Sequence, residues 1–291
     1  MREKMRGDGF LKLVEVLPPK SARGDVFEER LIPLKGLVDA IYIPQLPGAV
    51  MRAGSAFCAH FLHVRGYEVI FEVNCAHSNR LAIQAELLGA GLLGLRNVVL
   101  SEGDEPKWGD HPEAKAVFDV TLKELLQIVK AFREGKDLVG GDLEGALDLC
   151  VGVKVDASLQ GEALKRELDR MEEMAHLGVE FFLSSSVYDL EQLERFMEGA
   201  SKIGVPVIAG LIVLKSAGMA RYINKHVPGV MIPEGIIEKL LRSPDKELAS
   251  IEVAVEALKG IRRVCQGVNF ITIGWEDKVP QILKEAEGLW Q

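Results

Sequence analysis

The stretch LVEVLPPKS, residues 13–21, places one carboxylate, Glu15, inside an apolar run that two prolines bring to an end. An acid removed from water favours its neutral form, so burial would raise its pKa toward neutral pH and let it donate a proton. Two interpretations of Glu15 stand. It is either a structural carboxylate held by hydrogen bonds or a positioned acid at the mouth of a barrel.

Other polar side chains also lie at the ends of apolar runs. They are Asn74, Asp104, Asp156, Ser184, Ser185, Ser186 and Lys215. Barrel enzymes gather their chemistry at the carboxyl ends of the strands, so these positions predict one shared rim. Several polar groups that converge at one rim indicate a site better than any single group does. Asp104 could also simply cap a helix or a turn.

Eight short apolar runs, suited to parallel strands covered on both faces, alternate with amphipathic helical patterns. The runs occupy residues 11–18, 38–44, 67–75, 97–103, 147–156, 181–189, 206–214 and 268–274. The helical patterns occupy residues 81–94, 121–135, 162–178 and 190–204, and Thr121 is a candidate N-cap. These repeats predict a (β/α)8 TIM barrel of the α/β class, as a single domain over residues 1–291. A doubly wound open sheet is the alternative, but no G-x-G-x-x-G turn follows any run.

The composition is that of a globular protein, since 48% of the residues are hydrophobic and 27% are charged. The formal net charge of −8 argues against nucleic acid as a partner, because phosphate contacts need a basic surface. No apolar run is long enough to span a bilayer, and the charged first ten residues lack the apolar core of a signal peptide. We therefore expect a cytoplasmic protein without a membrane partner.

The cysteines and histidines give little indication of a metal. The cysteines show no C-x-x-C spacing, which argues against a disulfide framework or a zinc knuckle; they are Cys58, Cys75, Cys150 and Cys265. His60 and His63 follow Cys58 at spacings compatible with one helical face, but histidines on a half-apolar helix are more often packed or solvated. We predict no metal site.

Long stretches of the chain resemble the methylenetetrahydrofolate reductase family, in particular its short single-barrel form in acetogens and archaea. The matching stretches include VEVLPPK, SNRLAIQAELLGAGLLGLRNVVLSEGD, GDHPEAKAVFDV and LKSAGMARYINKHVPGVMIPE, and they run in family order from residue 13 to residue 284. The resemblance implies a barrel that holds a flavin, FAD or FMN, and reduces 5,10-methylenetetrahydrofolate to 5-methyltetrahydrofolate in one-carbon metabolism. It also implies NAD(P)H or an iron–sulfur partner subunit as the electron donor, and an oligomeric enzyme.

The resemblance also implies roles for individual residues. Glu15 would be the acid that opens the methylene bridge to an iminium. Asp104, between flavin and pterin, would favour that cation through its charge. The implied flavin contacts are Asn74, Gly103, Asp104 and Asp156. The implied folate contacts are Glu15, Ser185 and Lys215.

The chain departs from the family pattern where the chemistry should lie. Ser184 and Ser185 replace a threonine–glutamine pair whose glutamine contacts folate, and a serine reaches less far than an amide. Strand two ends in IPQ, residues 43–45, in place of V-T-D, and NCAHSNR, residues 74–80, stands in place of T-C-R-D-R-N-R. The basic pair expected near the FAD phosphates falls at Glu173 and Met174, which removes charge-assisted contacts.

These departures leave two interpretations open. Either the enzyme binds its flavin through other contacts, with FMN losing less than FAD, or the chain is a paralogue that binds folate or a partner subunit without catalysing the reduction. A folate-linked methyl-transfer enzyme is a third possibility, with no specific support in the sequence.

Overall fold

The computed structural model describes residues 1–7, 9–227 and 229–289. Within these ranges, eight parallel strands close into a barrel in sequence order, with the last strand paired to the first. The strands are β1 (Leu11–Glu15), β2 (Ala40–Ile43), β3 (Val69–Asn74), β4 (Asn97–Ser101), β5 (Cys150–Val155), β6 (Phe181–Ser186), β7 (Val207–Ile212) and β8 (Gly267–Ile271). The predicted (β/α)8 barrel is confirmed, and each strand falls within its apolar run to one residue.

Helices connect the strands on the outside of the barrel. They are α1 (Arg2–Arg6), α2 (Gly24–Glu29), α3 (Ser55–His63), α4 (Arg80–Leu92), α5 (Leu122–Arg133), α6 (Gly161–His176), α7 (Leu190–Ala200), α8 (Ala217–His226), α9 (Glu234–Arg242), α10 (Lys246–Val264) and α11 (Val279–Glu285). The four predicted helices are confirmed as α4 to α7, and Thr121 caps α5 in a capping box with Glu124. In the part of the chain that the structure describes, no helix combines the length and apolar content needed to cross a membrane.

The interior of the barrel changes from apolar to charged along the strands. Side chains alternate between the two faces of a strand, so every second residue points into the barrel. Leu13 in β1 and Ile70 in β3 belong to an apolar cluster that fills the lower interior, which the first residues of the chain cover from below. Two residues further on, the inward positions hold Glu15 and Glu72, which line the cavity above this cluster. The alternation thus places the acids directly above a dry floor.

One side of the rim is built from a loop with unusual backbone geometry. In the loop after β2, Leu46 and Ala49 have φ values of 47° and 53°, in the left-handed region that most side chains avoid. Two carboxylates of the loop after β4 hold this conformation. Asp104 accepts a hydrogen bond from the backbone N–H of Gly48 at 2.8 Å, and Asp110 accepts one from that of Met51 at 2.8 Å. The two loops therefore form one connected wall.

Candidate active site

A cavity of about 430 Å³ opens at the carboxyl ends of the strands, where the polar rim was predicted. Its volume is in the range of small-molecule sites. The charged residues that line it are Glu15, Glu72, Glu102, Asp104, Lys154, Asp156 and Arg170. Acids therefore outnumber bases around this space.

Glu72, in the middle of β3, is a buried carboxylate with four hydrogen-bond donors. Its Oε2 accepts from the Tyr42 hydroxyl at 2.6 Å and from the backbone N–H of Gln45 at 3.0 Å. Its Oε1 accepts from the Ser101 hydroxyl at 2.5 Å and from Lys154 Nζ at 2.9 Å. Burial favours the neutral acid, but the charge of Lys154 and these hydrogen bonds outweigh it and lower the pKa of Glu72. Glu72 is therefore ionised at neutral pH.

The side chain of Lys154, in β5, points into the barrel and away from the surrounding helices. Its side chain is 43% exposed although it projects inside the barrel, because the exposed part borders the cavity. Burial opposes its charge, but Glu72 and Glu15 outweigh that effect and raise the pKa of Lys154. The Glu72–Lys154 ion pair is therefore a fixed part of the cavity floor.

Glu15, the last residue of β1, is the acid best suited to exchange a proton. It is half-buried, and Asn269 Nδ2 lies 3.4 Å from its Oε2. Burial raises the pKa of Glu15 to about 7, Lys154 works against that shift, and the negative charge of Glu72 adds to it. Glu15 is therefore present in both protonation states near neutral pH, as its apolar strand predicted.

The raised pKa of Glu15 has a consequence for stability. The folded protein binds this proton more tightly than the unfolded chain, whose glutamate titrates near 4.5. The contribution of Glu15 is thus complete below pH 4.5 and is lost as the pH rises toward 7, by at most about 3 kcal/mol. We predict that the free energy of unfolding of the wild type, relative to the Glu15→Gln variant, falls over this pH range and is flat above it. Urea titrations at several pH values test this, and a constant difference between the two proteins would contradict it.

Asp104 and Gly103 line the cavity, and Asp104 also makes a structural contact. Its Oδ2 accepts the hydrogen bond from Gly48 N–H that joins the two rim loops. The alternative interpretation, in which Asp104 holds a turn, thus describes part of what this side chain does. Its charge still borders the cavity.

Asn74, predicted to contact the cofactor, lies behind the cavity wall. Its side chain is fully buried; its Oδ1 accepts from Ala76 N–H at 3.1 Å, and its Nδ2 donates to the Gln45 carbonyl at 3.2 Å. A Cβ on Gly103 would lie 2.7 Å from this amide, so Asn74 supports Gly103 from beneath. Its contacts hold the turn after β3 and leave it outside the cavity lining.

Asp156 and Ser185 lie together in the cavity wall. Ser185 Oγ donates to Asp156 Oδ1 at 3.1 Å, and the same oxygen accepts from the backbone N–H of Ser158 at 2.8 Å. Ser184 Oγ donates to the carbonyl oxygen of Ser185 at 2.8 Å. The two serines that replace the family's threonine–glutamine pair are therefore partly engaged by neighbouring protein groups.

Lys215 lies at the outer rim, apart from the other predicted residues. Its Nζ donates to the carbonyl oxygen of Ile273 at 2.6 Å and lies 5.5 Å from the centre of the Trp275 ring. Lys215 is not among the described residues that line the cavity. It could therefore contact only a part of a ligand that extends out of the cavity.

Arg170 of α6 is a cavity residue that the sequence did not single out. Its guanidinium donates to both carboxylate oxygens of Glu167, at 2.8 and 2.6 Å, and Glu167 in turn accepts from the backbone N–H of Asp156 at 3.0 Å. Glu173 pairs instead with Lys123 on the outer surface, and Met174 is buried in the core. α6 thus contributes one cation to the cavity, and that cation is paired.

Glu72 and Lys154 are the functional candidates that the sequence interpretation missed. A signal was available, because each is a charge inside a run otherwise suited to a strand buried on both faces: VIFEVN, residues 69–74, and CVGVKV, residues 150–155. Strand alternation from the apolar residues beneath them would have turned both inward.

Cys58 and His60, two of the residues considered for a metal, have other surroundings in the structure. Cys58 is buried, and His60 Nδ1 lies 3.2 Å from the carbonyl oxygen of Leu93. Within residues 1–7, 9–227 and 229–289, no group of three or more His, Cys, Asp or Glu side chains is arranged to hold a metal ion.

Comparisons with known proteins give the chain its family context. Methylenetetrahydrofolate reductase 2 of Schizosaccharomyces pombe is 25% identical over 238 residues, which cover 74% of this chain and 35% of that protein. The chain thus spans about a third of the length of that curated relative. An uncharacterized protein from Clostridium thermocellum, which binds two copies of 5-methyl-5,6,7,8-tetrahydrofolic acid, has a TM-score of 0.72 at 15% identity, covering 99% of this chain and 98% of that one.

More distant barrels also match. Oxaloacetate acetylhydrolase has a TM-score of 0.52 at 13% identity, covering 99% of this chain and 84% of its own. At such identities, solved structures share the fold alone. The family model for methylenetetrahydrofolate reductase, in contrast, matches residues 4–287, nearly the whole sequence. The chain therefore belongs to the methylenetetrahydrofolate reductase family.

Proposed function

We propose that the cavity binds a tetrahydrofolate-type substrate and that the protein reduces 5,10-methylenetetrahydrofolate to 5-methyltetrahydrofolate, with Glu15 as the acid. The observation that carries this proposal is a half-buried carboxyl with a pKa of about 7 at the floor of a ligand-sized cavity. Family membership supports the substrate, as does the folate bound by the protein from Clostridium thermocellum.

Glu15 would act on the nitrogen that leaves the one-carbon unit. Opening the methylene bridge moves electrons onto N10 of the folate and leaves an iminium at N5, so a proton has to reach N10. Glu15 carries that proton in a large fraction of molecules at neutral pH, and Asn269 limits the positions of its carboxyl. Once it has given up the proton, the carboxylate lies near the iminium and stabilises the positive charge.

Other residues would hold the substrate in place. Ser185 faces the cavity beside Asp156, and Asp104, after the neighbouring strand β4, adds negative charge to the rim. The buried Oδ1 of Asn269 has no partner among the described residues, so an N–H of the pterin ring would satisfy it. Lys215, at the outer rim, would meet the carboxylates at the tail of the folate rather than its ring.

FAD, with FMN as the alternative, is the cofactor that the family resemblance implies, and it stays a prediction. The charged residues around the cavity do not fit the phosphate groups of either flavin. Arg170 and Lys154 are the cations in the described lining, and each is bound to a carboxylate. We therefore assign no step to a flavin. The single domain, the oligomer and the electron donor also remain predictions.

Calorimetric titration with 5-methyltetrahydrofolate tests the proposed substrate. We expect saturable binding to the wild type and at least about a tenfold loss of affinity in the Ile271→Trp variant, whose new ring would fill the cavity mouth. Ile32→Trp is the matched control, because Ile32 is 60% exposed and lies away from the cavity. No binding to the wild type, or equal affinity of all three proteins, would contradict the proposal.

A further inference from the structure

We infer that this cavity excludes a resident flavin and that the reduced folate is the ring system that lies over the Glu72–Lys154 pair, taking its hydride directly from a dihydronicotinamide. The inference rests on the proposed function for the identity of the folate. The exclusion of a flavin rests separately on the charged residues that line the cavity.

The wall of the cavity carries surplus negative charge. Four of its carboxylates form no ion pair within the described residues: Glu15, Glu102, Asp104 and Asp156. Their hydrogen bonds come from uncharged groups, such as Gly48 N–H to Asp104 and the hydroxyl and backbone N–H of Ser158 to Asp156. Glu102 and Asp104 are exposed at the rim, and Glu15 and Asp156 are half-buried. A group that brings more negative charge into this space is therefore repelled, most strongly at its half-buried end.

The two cations in the lining are already neutralised. Lys154 donates to Glu72 at 2.9 Å, and Arg170 holds both oxygens of Glu167. A flavin phosphate that recruited either cation would leave a buried carboxylate without its partner, because Glu72 and Glu167 are 2% and 7% exposed. Each cation can still donate a hydrogen bond, but a carboxylate already balances its charge, so it adds little net attraction for a phosphate.

The other positions where a phosphate-binding cation was expected, in α6 and after β3, hold side chains with different contacts. Glu173 is itself an acid and pairs with Lys123, while Met174 packs in the core. After β3, the side chain of Asn74 holds its own turn, and its Oδ1 lies 2.9 Å from His77 Nδ1. The elements on both sides of the cavity therefore lack the contacts that a tightly held phosphate needs.

The same charges favour the chemistry of the folate. Opening the methylene bridge converts a neutral ring into an iminium cation, which the carboxylates of the wall stabilise. The same carboxylates would disfavour reduction of a flavin, because reduction puts negative charge on a ring beside Glu72 and Glu15. Lys154 still presents N–H groups to the cavity, so it can donate to the 4-oxo group of a pterin without leaving Glu72.

A flavin-free site needs another source of two electrons. A dihydronicotinamide supplies them in one step: its C4 hydride adds to the iminium carbon to form the 5-methyl group, and the donor leaves as the nicotinamide cation. The proton from Glu15 goes to N10, which balances the reaction. Such a donor binds only for the turnover, with its phosphates in solvent, whereas a resident flavin has to stay bound between turnovers.

The test begins with the full chain, incubated with excess FAD, FMN or riboflavin, passed through a desalting column and examined by visible absorption. We expect no stoichiometric FAD or FMN, and retention of riboflavin alone, which has no phosphate, would show that the phosphates cause the exclusion. In parallel, 5-methyltetrahydrofolate is titrated calorimetrically, and 5,10-methylenetetrahydrofolate is incubated with NADH in the flavin-free protein. We expect folate binding and formation of the 5-methyl product.

The three measurements test the exclusion of flavin, the binding of folate and the hydride donor separately. One FAD or FMN per chain overturns the exclusion and leaves the folate function standing. Failure to bind folate overturns the proposed function, whatever the flavin result. Folate binding without NADH oxidation overturns the direct hydride donor.

A charge variant tests the cause of the exclusion. Glu102→Lys puts an unpaired cation in the wall, so we expect FMN affinity to rise at least about tenfold over that of the wild type. Glu113→Lys, in the same loop but outside the cavity lining, makes the same change of charge and should leave FMN affinity unchanged. An equal response of the two variants would show that the wall charges are not the cause.

Discussion

Replacing Glu15 by glutamine should lower the rate of 5,10-methylenetetrahydrofolate reduction by about 10²- to 10⁴-fold, the usual contribution of a positioned general acid. Glutamine keeps the size of the side chain and its contact with Asn269, but it cannot transfer a proton. Affinity for 5-methyltetrahydrofolate should change little, because the product no longer needs the acid. The wild-type rate should also fall as the pH rises through 7, where Glu15 loses its proton.

A matched substitution on the outside of the barrel controls for general damage. Glu198, on α7, is exposed and far from the cavity, so Glu198→Gln should retain the wild-type rate and pH profile. If Glu15→Gln turns over at a rate similar to that of Glu198→Gln, Glu15 is a structural carboxylate, and the first interpretation of the LVEVLPPKS stretch is the right one.

Lys154→Met should lower the free energy of unfolding by about 1–3 kcal/mol, less than for a fully buried pair because Lys154 is 43% exposed. Methionine fills a similar space, but Glu72 is 2% exposed and would keep a negative charge with only neutral donors, Tyr42, Ser101 and Gln45, around it. Chemical denaturation with circular dichroism detection measures this difference.

The double variant Glu72→Gln/Lys154→Met separates the ion pair from simple packing. Because it removes both charges, we expect it to recover most of the stability that the single variant loses. If the double variant is as unstable as Lys154→Met, the loss comes from packing at residue 154. If Lys154→Met is as stable as the wild type, the pair does not hold the cavity floor.

The barrel could be predicted from the sequence because its signal is repeated and local. Each of the eight runs is apolar for the same reason, burial on both faces of a parallel sheet, and the helices between them carry their own caps, as Thr121 does. Each repeat is independent evidence for the same architecture. A predicted strand or helix boundary that is wrong by one or two residues does not change the predicted fold.

The site was less predictable because it depends on contacts between distant strands. Glu15 could be found from its apolar neighbours alone. Lys154 and Glu72 are 82 residues apart, and each looks anomalous until the closed barrel brings them within 2.9 Å. Asn74 differs again, since its place at a strand end predicted a ligand contact, and in the structure its amide satisfies the backbone of its own turn.

Loop geometry was the least predictable part of the site. The left-handed residues Leu46 and Ala49 carry no sequence signature, and glycine or asparagine would be the usual choice there. Their conformation is set by Asp104 and Asp110, which come from a loop more than 50 residues away. A local pattern cannot contain that information.

The most direct test of a reduced-folate site with Glu15 as its acid is a carbon-13 NMR titration of the glutamate carboxyl groups. The Glu15 resonance is assigned by its absence in Glu15→Gln, and the titration is repeated with 5-methyltetrahydrofolate. We predict a midpoint near pH 7 in the free protein and a clear change of both shift and midpoint when the folate is bound. A midpoint near 4.5, or a Glu15 signal that does not respond to the folate, would contradict the account.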